Sequence, residues 1–301
     1  MILMSKYLVF DIGGTNIKYG IINRSGQLIE KHRFKTPTES LAAFLAPIQQ
    51  LIDQYQGQYD GLAFSIPGKV RHPDEIIYGG GSLPFLDRQR LADHLSVPTG
   101  VPVMVENDGK AAALAELWLG NLKDCQNGVA LVLGTGVGGG LVLNGQLFSG
   151  SHFQAGELSF MLSDTDETMT GMLGLRGSAV AMIEQIATEL KLVDHHDGLK
   201  VFEAINAGEP TAVKIFTAYC HTIALTIQNM QSVIDVERYV IGGGISAQPI
   251  VASTIRSEYL KLYHGLPIIE TTLTAPAIMT GKFSNDANLY GALYHLLQSL
   301  E

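Results

Sequence analysis

Two stretches of this chain share one pattern, in which a strand-like apolar run stops at a glycine turn and a second strand begins at once. In the first, Tyr7 to Asp11 is β-branched and aromatic, Gly13-Gly14 follows, and Ile17 to Ile22 runs into the polar turn Asn23-Arg24-Ser25-Gly26. In the second, Val129 to Leu133 leads to a glycine-rich turn from Gly134 to Gly140, then to Leu141 to Leu143 and the hairpin signal Asn144-Gly145. The recurrence points to an internal duplication of one α/β unit.

The segments between them fill out two lobes. Leu41 to Tyr55 has helical spacing of apolar residues, and Gly61 to Ile66 reads as a buried strand stopped by Pro67-Gly68. Val101 to Val105 is a strand leading through Glu106-Asn107-Asp108 into an alanine-rich helix from Lys110 to about Leu119. Residues 1–115 thus form a first lobe. The second, 116–285, carries long helical patterns at Ser178 to Leu192, Thr211 to Ile234 and Pro249 to Tyr263, and a strand from Tyr239 to Ile241 halted by Gly242-Gly243-Gly244. The tail, 286–301, is helical and apolar on one face, and is expected to pack back on the first lobe. A chain of 301 residues, 46% of them hydrophobic, is long enough for two domains with a cleft.

Several classes of function are disfavoured. A formal net charge of -9 without any Lys/Arg-rich block argues against a nucleic-acid partner, which needs clustered cations to displace counterions. Cys125 and Cys220 lie in unrelated segments without metal-ligand spacing, so neither a disulfide framework nor a cysteine zinc site is expected, and a reducing cytoplasm fits best. The opening, Met1 to Phe10, lacks a secretory cleavage pattern, and no apolar stretch approaches the ~18 residues of a membrane span. His195-His196, between Asp194 and Asp197, reads as a solvated inter-helix loop rather than a metal site; Trp118 and Met161, Met169 and Met172 read as core or pocket lining.

The glycine turns carry the candidate chemistry. Asp11-Ile12-Gly13-Gly14-Thr15 ends one strand and opens another, so its glycines can adopt positive φ and turn successive N–H groups toward one point, a nest suited to phosphate. The Asp11 carboxylate can hold magnesium through water; an ordinary hairpin turn with an exposed Asp is the alternative. Gly134 to Gly140 contains the glycine-x-glycine-x-x-glycine fingerprint of dinucleotide binders, but that fingerprint requires a helix right after the turn. The run Leu141 to Leu143 before Asn144-Gly145 is too short and too strand-like, which favours a hairpin phosphate grip; the Walker pattern is absent. Gly242-Gly243-Gly244 would let backbone lie flat against a nucleotide or make a tight strand-to-helix turn. Asp108, where a buried strand gives way to a helix, is either a proton acceptor or a helix N-cap.

Asp11-Ile-Gly-Gly-Thr15, Ser65-Ile-Pro-Gly68, Glu106-Asn-Asp108, Leu133-Gly-Thr-Gly-Val-Gly-Gly-Gly140, Gly156-Glu157 and Ile241-Gly-Gly-Gly244 occur in the order seen in the ROK family of bacterial sugar kinases and repressors, which this chain resembles over nearly its whole length. The resemblance implies the two-lobed, actin-like (ribonuclease H-like) α/β fold, each lobe a mixed five-stranded sheet with helices, with Mg-ATP and sugar in the cleft between them. It implies that Asp11, Gly13, Gly14 and Thr15 together with Gly134, Thr135 and Gly136 grip the phosphates of ATP. Gly242, Gly243 and Gly244 then face the adenosine, and Asp11 holds Mg2+ through water. Asp108 becomes the catalytic base, and Gly68, Asn107, Asp108 and Glu157 bind the sugar. Homodimers are a family habit.

Departures from the family pattern bear on substrate. Many members have Gly-His after the Gly-Glu-x segment and a cysteine-rich zinc motif ending in a sugar-binding Glu; here the positions read Ser159-Phe160, the stretch Thr165 to Gly174 has no Cys, and Gly174 stands where that Glu would be. Zinc is therefore not expected, and the anomeric side of the pocket is expected to be less polar and roomier. With Gly79-Gly80-Gly81, the pattern is similar to the β-glucoside kinase branch, whose members phosphorylate the 6-hydroxyl of the non-reducing glucose of cellobiose and related glucosides. Glucokinase, fructokinase and N-acetylhexosamine kinase are the alternatives, and a sugar-sensing or repressor-like protein is the alternative outside enzymes. Lys110, where the family often has Asn, is either a charge beside Asp108 or a helix surface residue.

Overall fold

The computed structural model describes residues 5–162 and 165–301; the first four residues of the apolar opening lie outside that range. The chain divides into two compact units. The first comprises residues 1–123, 147–155 and 286–301, and the second 124–146 and 156–285.

The strands are β1 (Lys6–Ile12), β2 (Asn16–Asn23), β3 (Leu28–Lys35), β4 (Leu62–Ile66), β5 (Lys69–Arg71), β6 (Ile76–Tyr78), β7 (Val103–Asn107), β8 (Gly128–Leu133), β9 (Val137–Leu143), β10 (Gln146–Phe148), β11 (Arg238–Gly242) and β12 (Ala277–Thr280). The helices are α1 (Leu41–Gln54), α2 (Asp108–Leu119), α3 (Leu173–Arg176), α4 (Ala179–Glu189), α5 (Gly198–Asn206), α6 (Pro210–Ile234), α7 (Pro249–Gly265), α8 (Pro267–Thr272) and α9 (Ala287–Ser299). One sheet runs β3-β2-β1-β4-β7 and the other β10-β9-β8-β11-β12. In both, an antiparallel hairpin is followed by two strands parallel to its first strand. The sheets share one topology, as a duplication requires.

Alternation along β1 explains why it reads as a continuous apolar run. Leu8, Phe10 and Ile12 point to one face, where they meet Phe44, Ile48 and Ile52 of α1. Tyr7 and Val9 point to the other, where Leu289, Leu293 and Leu296 of α9 cover them. A strand buried on both faces has no polar side to show. In the second unit Val129, Leu131 and Leu133 of β8 pack into a core closed by residues of α4 to α7, among them Ile186, Phe202, Phe216 and Ile255.

The structure corrects one boundary. Gly134 to Gly140 is not one long turn, because β9 begins at Val137 and pairs with Leu133. The turn is three residues, and Gly138, Gly139 and Gly140 lie within the strand. No helix follows the turn directly, so the Rossmann alternative has no structural basis here. Among the described residues, no helix is long and apolar enough to cross a membrane.

The tightest crossing is between α2 and α9, where a Cβ added at Gly291 would overlap the carbonyl of Ala111. Gly to Ala in a helix interior ordinarily gains about 1 kcal/mol of propensity, whereas forcing atoms into a closed interface costs about 1–3 kcal/mol or more. Gly291→Ala is therefore expected to lower the thermal unfolding temperature; a rise would show that the two helices do not meet backbone to backbone.

Candidate active site

Three parallel strands of the first unit finish at one level, since Asp11 pairs with Ser65 and Ser65 with Glu106. Their carboxyl ends therefore share one edge, the edge at which open α/β sheets bind ligands. Each hands the chain to a candidate segment: Gly13 to Thr15 after β1, Pro67-Gly68 after β4, and Asp108 after β7.

At the first turn Gly13 N–H donates to the Asn16 carbonyl, and Thr36 ties the turn down from β3's far end by donating its hydroxyl to Gly13 O at 2.6 Å and its N–H to Thr15 O. Neither Gly13 nor Gly14 has positive φ. The glycine at 14 is a matter of space instead, because a Cβ would run into the Ser82 hydroxyl. Asp11 is not the exposed acid of an ordinary hairpin. It is 6% exposed, with Oδ2 accepting from Lys18 Nζ and Oδ1 from Asn288 Nδ2, both at 2.9 Å.

Ser82 belongs to a loop that begins Gly79-Gly80-Gly81, three consecutive residues with φ of 85°, 60° and 57°. Only glycine takes such a run without strain. The loop lies backbone to backbone on the second turn: a Cβ at Gly68 would come within 2.6 Å of Gly80 N and 2.8 Å of Tyr78 O. The space at Gly68 is thus taken by the chain's own backbone.

The third segment is organised by Asn107. Its Oδ1 accepts from Lys110 N–H, so Asn107 and not Asp108 is the N-cap of α2. Its Nδ2 donates to Gly68 O at 2.9 Å and to Asp108 Oδ1 at 3.0 Å. Asp108 is the first helical residue, and its Oδ1 also accepts from Gly109 N–H at 2.8 Å. A carboxylate at a helix N-terminus is favoured by the partial positive charge there. Lys110 is no surface residue: it is 1% exposed and donates to the Phe153 carbonyl at 2.8 Å, fixing the segment 147–155 to α2. Beneath Asn107, Glu106 is 1% exposed, and its Oε1 accepts from Asn107 N–H at 2.7 Å. Burial opposes its ionisation, but the rings of His295 and His72 beside it hold its carboxyl well below the usual carboxylate range.

In the second unit β8 and β11 end side by side, Val132 opposite Gly242. Gly134 and Gly244 line one cavity of about 350 Å3, whose wall is otherwise largely apolar and includes Ala179, Ile183, Leu199 and Phe202. The Gly134 carbonyl accepts from Ala179 N–H at 2.9 Å, joining the turn to the start of α4. Gly134 and Gly136 lack positive φ as well. Gly243 is pressed against Leu133, 2.7 Å separating a notional Cβ from its N–H nitrogen.

The glycines of β9 serve a different end from phosphate binding. A Cβ at Gly139 would meet Leu158 Cδ1 at 2.7 Å, and one at Gly156, where φ is 92°, would strike the Gly139 carbonyl. The strand is bare so that the segment carrying Glu157 can lie on it. Ser159 completes the contact, its hydroxyl accepting from Val137 N–H and donating to Val137 O. A Cβ at Gly174 would stand 2.9 Å from Ser159 Cβ, so Ser159 already fills the room expected from the missing Glu. Phe160 is 70% exposed.

Within the first unit the structure therefore gathers Asp11, Gly13, Gly14, Thr15, Gly68, Asn107 and Asp108 along one sheet edge. Within the second it brings Gly134 and Gly244 to one cavity and Gly156-Glu157 onto β9. Sequence reasoning missed Lys18, Thr36, Ser82 and Asn288. Lys18 alone left a signal, since it sits on the second strand of the first hairpin, directly opposite Asp11.

Residues 7–299 match the model of the ROK family, and the chain belongs to that family. It is 30% identical over 303 residues to a β-glucoside kinase of Listeria innocua, covering 97% of this chain and 98% of that one. A β-glucoside kinase of Klebsiella pneumoniae is 29% identical, with 97% and 96% covered. Among solved structures, a ROK family protein of Streptococcus pneumoniae in complex with sucrose superposes with a TM-score of 0.87 at 28% identity, over 98% of this chain and 99% of that one.

Asn107→Ala is expected to cost more than a cap alone. The cap is worth about 1 kcal/mol, and each of the two part-buried bonds lost with Nδ2 adds about 0.5–1.5 kcal/mol. Asn107→Ser keeps the capping oxygen and should recover only the cap. Denaturant unfolding of both variants reads the cap as their difference and the bonds to Gly68 and Asp108 as the loss that remains in Asn107→Ser; a Ser variant as stable as the unaltered chain would mean that those two bonds contribute nothing.

Proposed function

We propose that this chain, a sugar kinase of the ROK family, transfers the γ-phosphoryl group of ATP to the 6-hydroxyl of a glucosyl unit, with a β-glucoside such as cellobiose as the preferred acceptor. The observation that carries this reading is the placing of Asp108. It lies at the first turn of a helix, held by Asn107 and Gly109, on the edge where Gly13 to Thr15 and Gly68 also emerge.

A sugar hydroxyl is a weak nucleophile near neutral pH and needs a proton acceptor as its oxygen bonds to phosphorus. The carboxylate of Asp108, oriented through Oδ1 by Asn107 and Gly109, takes that proton. The bond between the γ-phosphorus and the bridging oxygen breaks as the new one forms, and ADP leaves. Gly14, Thr15, Thr135 and Gly136 offer backbone N–H groups to the phosphates, where developing charge is best spread over preorganised donors, while Gly13 and Gly134 shape the two turns, their own N–H groups donating to the Asn16 and Gly136 carbonyls. Gly242, Gly243 and Gly244 border the adenosine, whose base suits the apolar cavity beside Gly134. Gly68, Asn107 and Glu157 position the sugar; both amide hydrogens of Asn107 are engaged within the protein, so it meets the sugar through the second lone pair of Oδ1, whose first accepts from Lys110 N–H.

Asp11 fits a water-mediated magnesium site. Each of its oxygens accepts one side-chain hydrogen bond and retains a lone-pair direction, and Lys18 and Asn288 fix its orientation. When bound there, Mg2+ supplies charge neutralisation for the phosphates. The preference for a β-glucoside rests on the polarity lost where Phe160 and Gly174 stand in place of the family's His and Glu, not on added room, and on the relatives named β-glucoside kinases. A homodimer in the cytoplasm accompanies this reading.

Asp108→Asn keeps the size and the helix position but not the basicity. It should lower kcat by about 100-fold or more while sugar binding by calorimetry stays within a few-fold, as roughly expected when only transition-state chemistry is lost. Unchanged turnover would remove Asp108 from the mechanism. In a coupled assay of ADP release, cellobiose and gentiobiose should be turned over more efficiently than free glucose. Efficient use of glucose with both disaccharides untouched would overturn the β-glucoside assignment.

A further inference from the structure

Three side chains outside the proposed chemistry converge under Asn107. His72 follows β5, Glu106 lies on β7 and His295 on α9, three segments far apart in sequence and all in the first unit. Glu106 Oε2 is 3.4 Å from His72 Nε2 and 3.1 Å from His295 Nδ1, and one ligand atom from each residue falls within 4.8 Å of the others. The distances are those of ion pairs, yet none of the three buried atoms has a partner in hydrogen-bond geometry. Buried polar atoms almost always find a partner, and an exception calls for a reason.

A cation between them supplies one. Zinc bonds to imidazole nitrogen and carboxylate oxygen are about 2.0–2.2 Å long, so two ligands at the tetrahedral angle stand roughly 3.4 Å apart. The two separations from Glu106 Oε2 match that edge. The other oxygen, Oε1, accepts from Asn107 N–H at 2.7 Å, the kind of outer hydrogen bond that orients a ligating carboxylate. His72 is braced edge-on by the Phe153 ring at 6.1 Å, and the two histidine rings meet edge-on at 4.8 Å. Both histidine side chains remain about one-fifth exposed, which gives an ion a way in and water a place as fourth ligand.

We propose that His72, Glu106 and His295 form a binding site for one divalent transition-metal ion of the zinc class. Two imidazoles and one carboxylate are a borderline-soft donor set that selects zinc, cobalt or nickel over magnesium. The site is distinct from the cysteine-rich zinc motif that this chain lacks, and from Asp11. The bound ion would tie α9 and the turn after β5 to the strand that presents Asn107 and Asp108, and it takes no part in phosphoryl transfer.

The test uses the full chain, stripped by chelator and free of nucleotide and magnesium, titrated with Co2+ and separately with Zn2+. Visible cobalt absorption, metal content after gel filtration and thermal unfolding are the readouts. The expected result is one equivalent bound, with a rise in unfolding temperature on the order of 5 °C at saturating metal. His72→Asn and His295→Asn should each weaken binding by more than about 100-fold, beyond the usual cost of losing an outer-shell partner, and abolish the thermal shift. Lack of stoichiometric binding by the unaltered chain would overturn the proposal without any variant having to fold. So would cobalt spectra and affinities that both variants leave unchanged.

Discussion

The carboxamide of Asn107 is the joint on which the first unit's site depends. One oxygen caps α2, and one nitrogen reaches both the carbonyl of Gly68 and the carboxylate of Asp108. A single planar group thereby fixes the start of the helix, the turn after β4 and the orientation of the acid. Planarity matters, because rotating the amide to improve one bond spoils the other two. Glu106 sets the backbone of that residue from below through Oε1. Asp108 is thus held by bonds made within the protein, the preorganisation that its proposed role as general base requires.

Much of this was legible in the sequence, because the duplicated hairpins and long amphipathic helices leave periodic signals. The helices expected at Leu41 to Tyr55, Thr211 to Ile234 and Pro249 to Tyr263 appear as α1, α6 and α7, within two residues at each end. β3 left no such signal, since it is an edge strand whose run Glu30 to Arg33 is charged and mostly exposed, which protects an open edge but hides the strand. The glycines were read correctly as important and wrongly as to cause. Positive φ is expected at Gly13 and Gly14, yet the structure has it elsewhere, at Gly68, Gly79 to Gly81, Gly156 and Gly243. Close approach between distant segments determines those positions, and a single sequence carries no record of which segments will meet.

The same reason hid the histidines. His195-His196, adjacent and flanked by acids, draws the eye, yet both are exposed on the loop after α4. His72 and His295 are 223 positions apart (295 − 72) and share a carboxylate only because β5, β7 and α9 come together in the folded unit. Lys110 was ambiguous for a related reason. Its burial follows from Phe153, whose carbonyl lies 43 residues downstream and accepts from the ammonium group.

The central claim is that this fold moves phosphorus from ATP to the primary hydroxyl of a terminal glucosyl ring. Phosphorus NMR of the reaction with cellobiose tests it most directly. The account predicts a phosphomonoester signal coupled to the two protons on C6 of the non-reducing ring, growing as the ADP signals grow. Release of inorganic phosphate alone, or an ester coupled to any other ring position, would contradict it.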